Sequence, residues 1–250
     1  PEPKAAPAPE ARASHPFGRV DFRVARVVSA EDHPSAEKLL ALSPEHADGW
    51  LWKGAALSAL GRRKGGVEAL QAALARGPLS PAWAWIFLGN TYYALRLYPE
   101  AIQAYREVAK FEAQAESVQD SLGVALKDGG QFDAALRLFE AAQLKRPEDP
   151  FVWRQVGYVN GLMGRSEPMI AALEQSLRLD PRQARVWRAL LEGYHAAGRP
   201  EDVRRAYAKL LELDPGNKEA KEGLDYIATC RKPGADCSGT GAAEPKKKGK

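Results

Sequence analysis

Histidine is the side chain best suited to acid–base and metal chemistry, and this chain uses it sparingly. Its four histidines are His15, His33, His46 and His195. No two of them are four residues apart, so the helical pattern that places two histidine ligands one turn apart does not occur. The spacing predicts no histidine metal site, and His195 is expected to be a surface or groove residue.

The two cysteines, Cys230 and Cys237, lie in a tail rich in Gly, Ser and Ala, with six residues between them. Zinc sites need four ligands at close spacing, and the sequence has neither a Cys-x2-Cys pair nor a nearby histidine cluster. A disulfide between the two cysteines is geometrically allowed, while two free thiols are the favoured interpretation. The cysteine pattern leaves the compartment open, with the cytoplasm slightly favoured.

Catalytic and cofactor-binding motifs are missing from the sequence as well. It contains no G-x-S-x-G, P-loop or dinucleotide fingerprint, and no apolar run approaches the roughly 18 residues that span a bilayer. The net charge of +4 is partly local, because Lys246, Lys247, Lys248 and Lys250 crowd the end of the chain. These observations predict a non-enzymatic protein with no cofactor, no metal and no transmembrane segment.

The secondary structure of this chain is predicted by a sequence unit of about 34 residues that recurs five times. Its reference position holds Gly54, Gly89, Gly123, Gly157 and Leu191. Four residues earlier stand Trp50, Trp85, Gln119, Trp153 and Trp187. Seven residues later stand Gly61, Arg96, Gly130, Gly164 and Gly198. Sixteen residues later stand Leu70, Tyr105, Phe139, Leu173 and Tyr207, and a proline closes four of the five units (Pro78, Pro147, Pro181, Pro215).

This pattern predicts stacked helical hairpins. The glycine seven residues after the reference position lies between two apolar-periodic stretches, where the chain reverses and a positive φ is useful. The closing proline ends a helix because it lacks an amide donor. Large and small residues recur at helical spacing, so a large side chain on one helix can lie against glycine on its partner. The recurring tryptophans are predicted to pack in the core, and Trp153→Ala is expected to cost about 3–5 kcal/mol.

These residues resemble the tetratricopeptide repeat family, whose signature W-x2-L-G-x2-Y is matched by Trp85, Leu88, Gly89 and Tyr92. The resemblance implies an all-α, right-handed superhelix (an α-solenoid) of about five helix-turn-helix repeats with a C-terminal capping helix. The predicted repeats are 47–81, 82–115, 116–149, 150–183 and 184–217, followed by the cap at 218–230.

In that family, groove contacts come largely from the second, fifth, ninth and twelfth positions of each repeat. In this chain those positions include Trp83, Asn90, Tyr93, Lys127, Arg154, Tyr158, Arg188, Glu192 and His195. Asn90 matches an asparagine that grips the peptide backbone in some members. The carboxylate clamp of the chaperone-tail-binding members needs a lysine where this chain has Ile86, so their ligand is not expected here.

Lys127, Arg154 and Arg188 follow one another along consecutive repeats, with Tyr158 among them. Such residues favour an extended acidic or C-terminal peptide through charge-assisted hydrogen bonds and aromatic contact. The alternative is that they are solvated groove residues without a ligand.

The two ends of the chain differ in composition from the repeats. Residues 1–16 are rich in Pro and Ala and predict an extended tether, and residues 231–250 predict a disordered basic tail. Residues 17–46 are predicted to form an N-terminal cap or a degenerate segment. Within it, residues 20–40 resemble the start of the tRNA-binding OB-fold domain attached to some aminoacyl-tRNA synthetases, but they are too few to close a five-stranded barrel. A helix over 35–43 that caps the array is the competing interpretation.

The sequence thus predicts an adaptor or scaffold whose partner is a protein or an extended peptide. A second class is RNA binding, through residues 17–44 and the lysines of the tail. Binding that falls steeply with salt and is lost without residues 1–45 would favour RNA.

Overall fold

The computed structural model describes residue 43, residues 45–111 and residues 118–230, with Cys230 described by its backbone alone. Within these residues no strand occurs and the helices are α1 Ala47–Ala59, α2 Arg63–Arg76, α3 Pro81–Ala94, α4 Tyr98–Val108, α5 Gln119–Asp128, α6 Phe132–Lys145, α7 Pro150–Leu162, α8 Ser166–Leu179, α9 Ala184–Ala196, α10 Pro200–Leu213 and α11 Lys218–Cys230. The all-α prediction is confirmed for this part of the chain.

Several predictions fall on residues outside those ranges. They are the tether at 1–16, the strand-like segment at 20–24, the helix at 35–43 apart from its last residue, the pairing of Cys230 with Cys237, and the tail at 231–250. They stay predictions. His46, at the edge of the described region, precedes α1, and its Nδ1 accepts a hydrogen bond from the backbone N–H of Gly49 at 3.2 Å.

Helix boundaries follow from local sequence. Proline is the first residue of α3, α7 and α10, where its missing N–H would have no helical acceptor in any case. Asp149 caps α7, since its side chain accepts a hydrogen bond from the N–H of Phe151 at 3.1 Å. The left-handed turns lie where the repeat predicts them, at Gly61, Gly130, Gly164 and Gly198, with φ between 63° and 79°.

The described residues divide into two compact units, one ending at Ala135 and the other beginning at Leu136, with the boundary inside α6. We call them unit one and unit two. In unit one, each helix from α1 to α4 packs against the helix that follows it, and α1 also contacts α3. In unit two, each helix from α7 to α10 packs against the helix that follows it, and α7 also contacts α9. We call α1–α2 hairpin one, α3–α4 hairpin two, α7–α8 hairpin four and α9–α10 hairpin five.

The repeat glycines let the two helices of a hairpin approach closely. A Cβ atom on the glycine would lie 2.5–2.6 Å from the side chain sixteen residues later, in the pairs Gly54–Leu70, Gly89–Tyr105 and Gly157–Leu173. Such a distance is far inside van der Waals contact, so only glycine fits. The predicted contact between large and small residues is confirmed in these three hairpins.

Hairpin five has Leu191 at the glycine position, and its large side chain Tyr207 packs elsewhere. A Cβ atom on Gly223 of α11 would lie 2.5 Å from the Tyr207 ring. Ala220 of α11 is fully buried in the same core. The last helix therefore receives the side chain that the other hairpins bury internally.

The recurring tryptophans pack at the edge of the core. Trp50, Trp85 and Trp187 are partly buried against the core clusters, which supports their packing role. Trp153 is also only partly buried, and the expected loss of about 3–5 kcal/mol for Trp153→Ala stays a prediction.

The tryptophans of unit two also link successive repeats. The indole N–H of Trp153 donates to the carbonyl of Pro147 at 2.6 Å, and that of Trp187 donates to Pro181 at 3.3 Å. In both cases the acceptor is the closing proline of the preceding repeat. This hydrogen bond joins the first helix of each of these two repeats to the end of the repeat before it.

Candidate binding faces

The predicted groove residues lie on the first helices of the hairpins, and each unit has its own set. Unit one carries Trp83, Asn90 and Tyr93 on α3 and Lys127 on α5. Unit two carries Arg154 and Tyr158 on α7 and Arg188, Glu192 and His195 on α9. We call these two sets the first-helix face of unit one and the first-helix face of unit two.

On the face of unit two, Arg154 is held in place by its neighbours. Its Nη1 donates to Oε1 of Gln183, and its guanidinium lies 5.3 Å from the centre of the Phe151 ring. Gln183 is itself fixed, because its Nε2 lies within 3.1 Å of three acceptors, the carbonyl oxygens of Ser176 and Asp180 and the hydroxyl of Ser176. Burial lowers the pKa of Arg154. The guanidinium is thus ordered before any partner arrives.

Tyr158 lies close enough to Arg154 to interact with it electrostatically. Burial raises the pKa of the Tyr158 phenol, while Arg154 and Arg185 oppose that rise. Arg185, an exposed residue of α9, is a basic residue of this face that the sequence reasoning missed. The signal was present, since Arg185 occupies the second position of its repeat, as Trp83 does in unit one.

The other predicted residues of unit two are open to solvent. Arg188 is 58% exposed, and its Nε lies 3.6 Å from a carboxylate oxygen of Glu219, which is equally exposed. Glu192 and His195 are exposed on the same helix. An exposed ion pair of this kind contributes little to stability, so Arg188 exchanges partners at small cost.

The face of unit one is aromatic. The rings of Trp83 and Phe87 lie 6.0 Å apart, and Trp52 of α1 lies 6.4 Å from Phe87. All three side chains are partly buried. The predicted partial exposure of Trp83 agrees with this arrangement. Trp52 and Phe87 were not predicted, although they occupy the same position in successive repeats.

Asn90 is oriented by a buried tyrosine. The hydroxyl of Tyr105, which is only 1% exposed, donates to Oδ1 of Asn90 at 2.7 Å. This hydrogen bond fixes the amide plane of Asn90 and uses its carbonyl oxygen. The NH2 group is the part of the amide that remains suited to a peptide carbonyl.

Tyr93 and Lys127 meet at a carboxylate. The hydroxyl of Tyr93 donates to Oδ2 of Asp128, and Nζ of Lys127 lies 3.0 Å from Oδ1 of the same group. The Lys127 side chain is only 15% exposed. Burial, helped by the Asp128 hydrogen bond, raises the pKa of Tyr93. The Lys127 charge is therefore already paired within unit one.

Within residues 45–111 and 118–230, no group of three or more His, Cys, Asp or Glu side chains is arranged to hold a metal ion. None of the helices in those ranges combines the length and apolar character required to cross a membrane.

Comparison with solved structures places the fold among helical-repeat proteins. MamA from Desulfovibrio magneticus RS-1 superimposes with a TM-score of 0.63 at 17% identity, covering 69% of this chain and 97% of that one. YrrB, a TPR protein with an unusual peptide-binding site, gives a TM-score of 0.58 at 18% identity, covering 76% of this chain and 98% of that one. At such identities the likeness concerns the fold alone.

Among curated proteins, the human protein O-mannosyl-transferase TMTC1 is 26% identical over 195 residues, which is 63% of this chain and 21% of that protein. The chain thus matches about a fifth of the length of that relative. The tetratricopeptide repeat model matches residues 44–229, a range that includes every helix of both units except the final residue of α11. This chain belongs to the tetratricopeptide repeat family.

Proposed function

We propose that this protein is a non-enzymatic adaptor that binds an extended segment of a partner protein on its first-helix faces. The repeats bury their apolar sides against one another, which leaves the outward side chains of α1, α3, α7 and α9 available for recognition. YrrB supports the proposal, because a protein of the same fold has a peptide-binding site.

The face of unit two is the better defined of the two, and the observation that carries the proposal is its group of arginines. Arg154, Arg185 and Arg188 lie on α7 and α9, which contact one another, and Tyr158 lies among them. Guanidinium groups bind carboxylates through paired, charge-assisted hydrogen bonds. The ligand we propose is therefore an acidic segment.

Carboxylates of the protein itself lie near these arginines and limit the net positive charge. Asp149 and Asp180 interact electrostatically with Arg154, and Glu219 pairs with Arg188. Asp149 is already engaged, since one of its oxygens lies 3.1 Å from Nη1 of Arg146. Arg185 and Arg188 are exposed, so we assign the capture of the acidic segment mainly to them, with Arg154 and Tyr158 as the ordered part of the face.

The first-helix face of unit one, taken by itself, offers a different kind of contact. The partly buried rings of Trp83 and Phe87 provide apolar area, and the amide of Asn90 provides a donor for a backbone carbonyl. Lys127 has a smaller role than the sequence suggested, because binding an acidic ligand there would require it to leave Asp128.

The test uses a short fluorescein-labelled peptide of alternating Glu and Ala, its Gln counterpart, and both peptides with a C-terminal carboxylate or amide. The double variant Arg185→Glu/Arg188→Glu should bind the Glu peptide about tenfold more weakly and lose most of the salt dependence of binding. Reversing Arg154 and Arg188 together should also weaken binding and its salt dependence, but by less, because Arg185 is retained. Fluorescence anisotropy measures both, and the amidated peptides separate an acidic ligand from a terminal carboxylate.

A matched control reverses two exposed charges away from the face. Arg204→Glu/Lys209→Glu makes the same change in net charge on α10, where these residues pair with Glu201 and Glu212. Equal binding by both double variants, or equal binding of the Glu and Gln peptides, would contradict the proposal.

Other functions have less support. The RNA-binding alternative rests on residues 17–44 and on the terminal lysines, and nothing in the described residues favours it. Mannosyl transfer is the activity named for a relative of which this chain matches 21%, and we do not propose it for the repeats.

A further inference from the structure

A cavity of about 280 Å³ opens between α2, α3 and α4 in unit one, away from the proposed peptide contacts of Trp83 and Asn90. Two aromatic rings, Trp85 and Tyr92, line it together with the carboxylate of Glu100. The other lining residues are Gln71, Leu74, Leu88, Gln103 and Ala104. The lining therefore offers aromatic rings, a negative charge and two amide groups, and it contains no basic residue.

The polar groups of this cavity are only partly used by the protein. Nε2 of Gln71 donates to the Tyr92 hydroxyl at 3.0 Å, which leaves the hydroxyl hydrogen for another acceptor. Within the described part of the chain, Glu100 forms no ion pair. The indole N–H of Trp85 likewise has no acceptor there, whereas Trp153 and Trp187 donate to carbonyls.

The same repeat positions occur three repeats further along the chain, in hairpin five of unit two. Trp187 corresponds to Trp85, Tyr194 to Tyr92, and Asp202 to Glu100. Glu174, on the preceding helix, corresponds to Gln71 and accepts a hydrogen bond from the Tyr194 hydroxyl at 2.7 Å. The two sites thus share a tryptophan, a tyrosine and a carboxylate at matching positions.

In hairpin five two of the protein's own arginines contact the tyrosine and the carboxylates at these positions. The guanidinium of Arg199 lies 5.0 Å from the centre of the Tyr194 ring, and its Nε lies 2.6 Å from Asp202. Nη2 of Arg205 lies 2.7 Å from the other oxygen of Asp202 and 3.9 Å from Glu174. Tyr194 is fully buried, whereas Tyr92 is only partly buried.

Hairpin two lacks both arginines. Leu97 precedes α4 as Arg199 precedes α10, and Gln103 stands where hairpin five has Arg205. Leu97 is 41% exposed, and its apolar side chain cannot pair with Glu100. The tyrosine ring and the carboxylate that hold a guanidinium in hairpin five are therefore present in hairpin two without the cation, with Trp85 beside them.

We propose that the cavity between α2, α3 and α4 binds an arginine side chain of a partner protein, with the guanidinium against Tyr92 and Trp85 and paired with Glu100. A guanidinium stacks on an aromatic ring through its flat face and donates to a carboxylate through its edge. The amide oxygens of Gln71 and Gln103 are further acceptors for its five N–H groups. This site is independent of the acidic-segment site, because it lies in the other unit and takes the opposite charge.

The first experiment titrates the full chain with the tripeptide acetyl-Ala-Arg-Ala-amide and follows the indole N–H resonances of the six tryptophans by NMR. Trp85→Phe assigns the relevant resonance. Arginine should shift it in a saturable manner, with a Kd on the order of millimolar. The lysine tripeptide should bind at least a few-fold more weakly, and the uncharged citrulline tripeptide should not bind.

The second experiment introduces arginine side chains of the protein itself beside the cavity. Leu97→Arg/Gln103→Arg reproduces the arrangement of hairpin five, and it should abolish the tripeptide-induced shift while raising the melting temperature. Glu100→Gln should weaken tripeptide binding about fivefold or more and leave the melting temperature nearly unchanged, since Glu100 is exposed. Arg185→Glu/Arg188→Glu should bind the tripeptide like the wild type.

Several results would overturn the proposal. They are equal binding of the arginine and citrulline tripeptides, unchanged binding by Glu100→Gln, or unchanged binding by a folded Leu97→Arg/Gln103→Arg variant. A shift of the Trp187 resonance in place of that of Trp85 would likewise contradict the assignment to hairpin two.

Discussion

Unit one and unit two are built on the same repeat but present different chemistry. The first-helix face of unit one is aromatic, with Trp83 against Phe87, and the corresponding face of unit two is basic, with Arg185 and Arg188 exposed. The difference shows that the repeat fixes which positions point outward, whereas the residue type at each position decides what they can bind.

The same contrast appears between hairpin two and hairpin five. Each has a tyrosine three residues after the reference position and an acid at the third residue of its second helix. Hairpin five satisfies these groups with its own arginines, and hairpin two leaves a cavity. A repeat position can therefore be structural in one unit and available to a ligand in the other.

The largest expected effect tests whether the repeat glycine packs against the large side chain sixteen residues later in the same way in both units. Gly89→Ala in unit one and Gly157→Ala in unit two should each lower the free energy of unfolding by about 1–3 kcal/mol, since the new methyl group would overlap Tyr105 or Leu173. Denaturation with urea, followed by circular dichroism, measures both. Gly65→Ala is the control, because its Cβ atom would meet Leu57 at an ordinary 3.5 Å. A loss in only one unit would show that the hairpins are packed differently.

An intermediate effect should separate the tryptophans of the two units. Trp153→Phe removes the hydrogen bond to the Pro147 carbonyl and should cost about 1 kcal/mol more than Trp85→Phe, which breaks no such bond among the described residues. The measurement is again the urea midpoint. Equal losses for the two variants would mean that the indole hydrogen bond contributes no stability.

The smallest effect concerns the turn in which unit one departs from the repeat. Arg96 adopts a φ of 61°, in the same left-handed region as the turn glycines. This conformation is sterically strained for a residue that has a Cβ atom. Arg96→Gly should therefore stabilise the protein by about 0.5 kcal/mol, after the extra entropy of glycine in the unfolded chain is subtracted. Differential scanning calorimetry should show a higher melting temperature.

The control for this variant lies in the turn of hairpin one. Arg62 has a φ of −79°, so Arg62→Gly relieves no strain and should lower the melting temperature slightly. A lower melting temperature for Arg96→Gly as well would contradict the explanation.

Much of the fold was predictable because it depends on local spacing. The helical hairpins, the glycine turns and the contact of Gly89 with Tyr105 all follow from residues less than one repeat apart. Arg96 shows how strongly the surrounding repeat determines the backbone, because it takes the turn conformation without being glycine.

The binding faces were less predictable because side-chain partners come from other helices. Lys127 matched a groove position, but its charge is paired with Asp128, and Tyr93 of α3 binds the same carboxylate. Arg154 matched as well, and its orientation depends on Gln183, 29 residues away. Counting positions within a repeat identifies neither partner.

The sequence by itself determined the period, the helix pairs and the places where the chain must turn, because glycine, proline and helical periodicity act over a few residues. Only the tertiary structure decided which of the repeated positions keep an open surface. Hairpins two and five have a tyrosine and an acidic residue at the same repeat positions. Whether these residues contact an arginine of the chain or line a cavity depends on how three helices bring their side chains together.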